Sequence, residues 1–403
     1  MLVRFTVLAI LLTGFCSVVD AQSCIDGQSG GYACKKVRLQ AHIELNQFPG
    51  NPEAASHVWG YVDPNDNREY AVIGLYNSTT VVEVTDPVHP RIVGSVPALD
   101  SIWREVKVYS KFNKKKNRWQ GYAYISTEAP GGRIQIINLS ELPDRVFLQR
   151  TDHDVDTSHT VFISNINYAT GQALPGLTPY LYFEGSNSAG LNVFSLKKPK
   201  NPRLVGNYNE TYVHDVYAET FTDSRAEQCA PGHNPCEVVF AWTGDDVRII
   251  DFTDKKNPQT LSTIQYTDTG YPHSGWISSD KKYLFSFDEF DEFLYTRNTR
   301  IMTINIKNFL NPKVRTGHRG KTKAIEHNGY VVGNKLYVAH YTRGLIIYDA
   351  SNPNKLKEIG SFDTYPLHDD TQGAGAWGVY PFLPSGNILV SDIQRGLFIL
   401  KEE

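Results

Sequence analysis

The stretch LIIYDASNPNKLKEIGSF (Leu345 to Phe362) is an alternating apolar strand, a polar Asn-Pro turn and a second short strand. The same phrase recurs as VVEVTDPVHPRIVGSV (Val81 to Val96), IQIINLSELPDRVFL (Ile134 to Leu148) and LNVFSLKKPKNPRLVGNY (Leu191 to Tyr208). It recurs again as VRIIDFTDKKNPQTLSTI (Val247 to Ile264), IMTINIKNFLNPKVRTG (Ile301 to Gly317) and a truncated LFIL (Leu397 to Leu400). Self-similarity at about 50 residues signals a repeat architecture, and four-stranded units of that size are propeller blades.

With the strands of a blade lettered A to D from the axis outward, the phrase supplies strand C, the turn and strand D. Strand A of the next blade follows, as in His214 to Glu219, and then strand B, as in Val238 to Trp242. Seven A strands result, starting near His57, Arg104, His159, His214, His273, His327 and Trp377. The last blade has A, B and C strands but runs out at Glu403, while Val37 to Leu45 is a spare strand ahead of the first blade. Pairing the two would close the ring and leave no open sheet edge. The expectation is one all-β domain over residues 22–403, a seven-bladed propeller closed by its N-terminal strand; the alternative is six blades with a flanking sheet.

Residues 1–21 read as a secretory signal peptide: Arg4, an apolar run from Phe5 to Phe15, and small residues before Gln22. That run is too short to span a bilayer, and no other segment could, so the expected product is secreted, with no membrane span. Losing Cys16 with the leader leaves Cys24, Cys34, Cys229 and Cys236. An even count in an exported chain favours disulfides, and 24–34 with 229–236 is the simplest of three pairings. Asn77, Asn138 and Asn209 head sequons for glycosylation. The formal charge of -3 gives no electrostatic case for nucleic acid. The Lys114-Lys115-Lys116 run reads as a solvated hairpin tip.

The chemical signal lies at the starts of the A strands. His57, His159, His214, His273 and His327 occupy similar repeat positions, with Arg104 and Trp377 in the other two blades, and Phe162, Tyr217, Trp276 and Tyr330 follow three residues behind. A strands line a propeller axis, so His159, His214, His273 and His327 aim imidazoles at one mouth. The B–C loops open on the same face and bring Glu128, Glu184, Asp245, Asp246, Asp288, Glu289 and Asp392, with His340 in blade six. Neutral imidazoles ligate transition metals, and neighbouring carboxylates fix the ring tautomer. The bland reading is that the histidines hydrogen-bond between strands, as repeated residues in propellers often do. Against it, histidine is kept only in some blades, and carboxylates crowd the same face. The Asp152 to Asp156 run is at most a weak calcium loop, lacking a turn Gly and a closing Glu. The run Asp288 to Glu292 could bind a hard cation, although acidic tips are usually just solvated. The Gly185 to Gly190 stretch is not a nucleophile elbow.

The phrases starting at Val81, Val247 and Leu345 resemble the LVIVD family, and the mature chain resembles the secreted proteins called choice-of-anchor B. The resemblance implies an exported propeller and brings no reaction with it. With no sorting tail evident after Glu403, the implied product is released.

Three functions remain in view. One is an extracellular scaffold binding a protein, matrix or small ligand through a His-lined mouth. Another is a metal-dependent enzyme, oxidative or hydrolytic, with Glu184 or Asp246 as orienting group or base and Arg104 clamping an anionic substrate. The third is a structural matrix or biomineral-associated protein.

Overall fold

The computed structural model describes residues 22–185 and 190–403. The expected leader, and residues 186–189 of the Gly185 to Gly190 stretch, lie outside the described residues. Seven antiparallel sheets follow one another in A-B-C-D order, from Ala55–Val62 through Arg91–Pro97 in blade one to blade seven. In blade seven, Ala376–Tyr380, Asn387–Asp392 and Gly396–Glu402 are joined by Val37–Ile43, which runs antiparallel from Val37↔Glu402 to Ile43↔Leu397. Each inner strand packs on the next, and Ala376–Tyr380 meets Ala55–Val62 to complete the ring.

The N-terminal segment also fastens a second blade. Gln28–Ser29 and Tyr32–Lys35 form a hairpin that extends blade six through Cys34↔Phe362. The two disulfides join Cys24 to Cys34 and Cys229 to Cys236, as the simplest pairing expects.

The repeated phrase has a shared mechanical feature. The C–D ladder slips by one residue at Val81/Val82, Ile136/Ile137, Val193/Phe194, Ile249/Ile250 and Ile347/Tyr348. A bulge raises local twist, which splays the outer edge of each blade from its inner edge. The glycine of RLVGNY sits at this bulge because the next blade's turn presses on it. A Cβ on Gly206 would lie 1.6 Å from the Lys255 carbonyl oxygen.

Ladder register stacks the A strands in three layers along the axis. The mouth layer is Ser56, Arg104, His159, His214, His273, His327 and Trp377. The next is His57, Glu105, Thr160, Asp215, Ser274, Asn328 and Gly378. Two residues further on come Trp59, Lys107, Phe162, Tyr217, Trp276, Tyr330 and Tyr380. The aromatics of this last layer plug the channel. Trp276 lies 4.7 Å from Tyr217, 4.8 Å from Tyr330 and 5.1 Å from Tyr168, which enters from the loop after Thr160–Ile163. The mouth is therefore a blind cup with an aromatic floor.

Candidate metal centre

Four imidazoles stand side by side in the cup. Ring centroids are 4.1 Å apart for His159 and His214, 4.4 Å for His214 and His273, and 4.3 Å for His273 and His327. One ring nitrogen each of His159, His214 and His273 lie within 4.8 Å of one another, and a second trio of His273, His327 and Glu289 does the same. The four do not form one set; two trios share His273.

The partners of each ring set its proton. His159 Nδ1 donates to Glu128 Oε1 at 2.5 Å, which turns the Nε2 lone pair away from that carboxylate. His327 Nδ1 donates to the Trp377 carbonyl at 2.7 Å. His214 Nδ1 has the hydroxyls of Tyr212 and Tyr271 each at 3.0 Å, and its Nε2 is buried with no hydrogen-bond partner. His273 Nδ1 is likewise buried and unpartnered. Burial, reinforced by neighbouring imidazoles, holds His214 well below the usual histidine range and brings His273 and His327 down to about 3. These three are neutral at physiological pH, the form that ligates. Buried polar atoms are ordinarily paired, so the orphaned Nε2 of His214, beside the converging rings of His159 and His273, fits a metal ion.

The bland reading assigned these rings to inter-blade hydrogen bonds. Hydroxyls and backbone carbonyls make those bonds instead. Ser56 donates to the Arg104 carbonyl, Ser126 to that of His159, Thr160 to that of His214 and Ser274 to that of His327. Of the four rings, His327 bonds the Trp377 carbonyl of the next blade and His273 lies against the backbone of His327.

Residues 328–364 match the LVIVD repeat. They span the four strands of blade six, from Asn328–Val332 to Lys357–Phe362. Blade six thus carries an LVIVD repeat. No curated protein matches the chain.

Other candidate residues sit differently from expectation. His57 is not in the mouth layer. A bulge between Ala55 and Val58 drops it one layer, where Nε2 meets the Tyr330 hydroxyl at 3.1 Å and Glu105 at 3.6 Å. Arg104 holds the mouth register, but it is not free to clamp a substrate. Nε donates to the Leu75 carbonyl and Nη2 to that of Leu99, and burial lowers it to about 10. Glu184 lies below the ring, accepting from Thr160; burial, then Asp215 and Glu105, push it well above the carboxylate range. Asp246 accepts from Thr243 and pairs with Arg248 at 3.1 Å. His340 bonds Tyr348 in blade six, away from the cup. Asp392 accepts the backbone N–H groups of Gln394 and Arg395. Trp377 packs 5.0 Å from His327.

The acidic run Asp288 to Glu292 is buried rather than solvated. Asp288, Asp291 and Glu292 are fully covered because a single helical turn, Asp291–Leu294, folds them inward. Asp288 accepts from Tyr266 and the backbone of Gly270 and Tyr271. Asp291 pairs with Arg300 at 2.5 Å. Glu289 instead reaches the cup, held by the Tyr341 hydroxyl at 2.8 Å. In the proposed calcium loop, Asp152 accepts from Asp154 N–H and faces Arg150 at 3.3 Å, and no trio of its carboxylates converges among the described residues.

Reasoning from sequence put Glu289 on the histidine face but missed Tyr212, Tyr271, Glu105, Lys107 and Asp215. Tyr212 and Tyr271 stand two residues ahead of His214 and His273, a repeat-phase signal that was available. Beneath the ring, Lys107 pairs with Glu105 and lies 4.5 Å over Trp59, while burial and then Glu105 keep Asp215 protonated well above its usual range.

Proposed function

We propose that this chain is a secreted propeller that binds an extracellular ligand at its axial cup through a resident transition metal ion. The convergence of His159, His214 and His273, with a buried unpartnered nitrogen on His214, carries the reading. Glu128 and the Trp377 carbonyl orient flanking rings, and Glu289 supplies a carboxylate to the second trio. A bound ion there would offer a Lewis-acidic coordination position to an anionic or carbonyl-bearing ligand. The two disulfides and the lack of any membrane-crossing helix among the described residues are compatible with an extracellular protein. The test is elemental analysis of untagged secreted protein beside His214→Ala/His273→Ala. Near-stoichiometric metal in the parent and little in the folded variant is expected; no metal in the parent, even after reloading with several ions, rejects the reading.

A second reading, a metal-dependent enzyme, is favoured by the carboxyls of Glu184 and Asp215 below the ring. Held protonated, they are proton sources one layer from the candidate ion. Turnover by the loaded protein that is lost in Asp215→Asn with metal retained would select this reading over simple binding.

A further inference from the structure

On the face opposite the histidine cup, the Asn113–Arg118 hairpin tip of blade two faces the turn at 196–202 in blade three. Between them lies a cleft of about 430 Å³ walled by Lys111, Lys114, Lys115, Lys197, Lys198 and Lys200. The sequence alone reads Lys114 to Lys116 as a solvated tip; here the tip is one wall of a shaped cavity. All six lysines are exposed, no Asp or Glu lines the cleft, and none of the six forms an ion pair among the described residues. In a chain whose formal charge is -3, that is a local excess of six positive charges.

The two walls are fastened to each other. Lys111 Nζ donates to the Lys197 carbonyl at 2.6 Å, and the Tyr124 hydroxyl donates to the Pro199 carbonyl at 2.9 Å. The cleft is therefore preformed, and like charges are held together at an electrostatic cost that a bound polyanion would relieve. Phe112 and Tyr122 add apolar lining, with Lys200 Nζ 5.9 Å from the Tyr122 ring.

We propose that this cleft binds a short segment of an anionic polysaccharide, one bearing sulfate or carboxylate groups on successive sugars. Its size falls within the roughly 300–1,000 Å³ of small-ligand sites, enough for a few sugar units and too small to seat a nucleic-acid duplex. The cations are all lysines. Mobile point charges suit anions spaced along a chain, whereas recognition of one phosphate or carboxylate favours the planar fork of arginine. Aromatic faces beside the lysines suit the C–H faces of sugar rings. The site is remote from the histidine cup, so metal binding and glycan binding fail independently.

The test uses the full secreted chain and size-defined heparin oligosaccharides, with polyglutamate, oligothymidylate and inorganic sulfate as competing probes. Heparin tetrasaccharide is expected to bind with an affinity that falls steeply with salt. Lys115→Ser/Lys198→Ser/Lys200→Ser is expected to bind about tenfold or more weakly at unchanged melting temperature and metal content. Lys313→Ser/Lys355→Ser/Lys357→Ser removes the same charge from exposed sites on blades five and six and is expected to bind like the parent. Equal weakening by both triple variants, no binding by the parent, or tighter binding of polyglutamate or oligothymidylate would each overturn the proposal.

Discussion

Glu289 Oε2 stands 3.8 Å from Nε2 of His273. The other oxygen of that carboxylate stands 3.8 Å from Nε2 of His327. Both gaps exceed a hydrogen bond, and both suit groups that share an ion between them. Glu289 is poised by Tyr341, whose ring stacks on His327 at 4.4 Å. Replacing it should therefore weaken metal affinity without unfolding the cup. Glu289→Gln is expected to lower transition-metal affinity by about 10- to 100-fold, the range for groups that support a metal site. Competition titration against a chromophoric chelator reads the change. Unaltered affinity in Glu289→Gln would confine the site to the first histidine trio.

The aromatic floor makes a separate demand. Trp276 is nearly buried and contacts Phe162, Tyr168, Tyr217, Tyr330 and Phe382 from four other blades and a loop. Its removal opens a cavity where the inner strands meet. Trp276→Ala is expected to destabilise folding by about 3–5 kcal/mol. Urea denaturation measures it. A loss below about 1 kcal/mol would mean that neighbouring rings collapse into the gap.

Glu292 gives a pH signature. Burial, then the adjacent Asp291, raises its carboxyl from its ordinary 4.5 to about 9. Above 4.5 the unfolded chain releases this proton while the native state keeps it. The native advantage is thus complete below 4.5 and is lost as pH rises toward 9, at up to about 1.4 kcal/mol per pH unit. Glu292→Gln should flatten this slope and make the variant the more stable protein at pH 8 but not at pH 4. Chemical denaturation of both proteins from about pH 4 to 8.5 supplies the comparison. Parallel curves would show that the carboxyl titrates normally.

The propeller was legible because every blade repeats one phrase, and period-2 alternation with Asn-Pro turns survives divergence of individual residues. The ring of His159, His214, His273 and His327 followed from the same phase. His57 did not, because a bulge that no local residue announces shifts its strand by one position. Glu289 was read onto the histidine face among other loop carboxylates, but nothing singled it out from them. Its run looks like a charged tip, and only the tertiary fold of Asp291–Leu294 buries the flanking acids and turns this one toward the histidines. Arg104 shows the converse limit. Register placed it correctly, but the carbonyls of Leu75 and Leu99 that occupy its guanidinium come from a neighbouring strand and loop.

The three sequons differ in what the fold leaves accessible. Asn138 is buried in strand Ile134–Asn138, its amide donating to Gln149 Oε1 at 2.8 Å and its carbonyl accepting from Ser140 N–H. Asn77 is half-buried, with its amide on the Gly50 carbonyl at 3.0 Å. Asn209 is exposed in the connection between blades three and four. A glycan on Asn138 Nδ2 would crowd out its bond to Gln149 Oε1 and force apart the blade two sheet, whereas one on Asn209 projects into solvent. If the chain passes through a glycosylating secretory route, Asn209→Gln is expected to remove a glycan and Asn138→Gln to leave the glycan mass unchanged. Glycopeptide mass spectrometry after enzymatic deglycosylation distinguishes them. Occupancy at Asn138 would require that sugars be added before blade two closes.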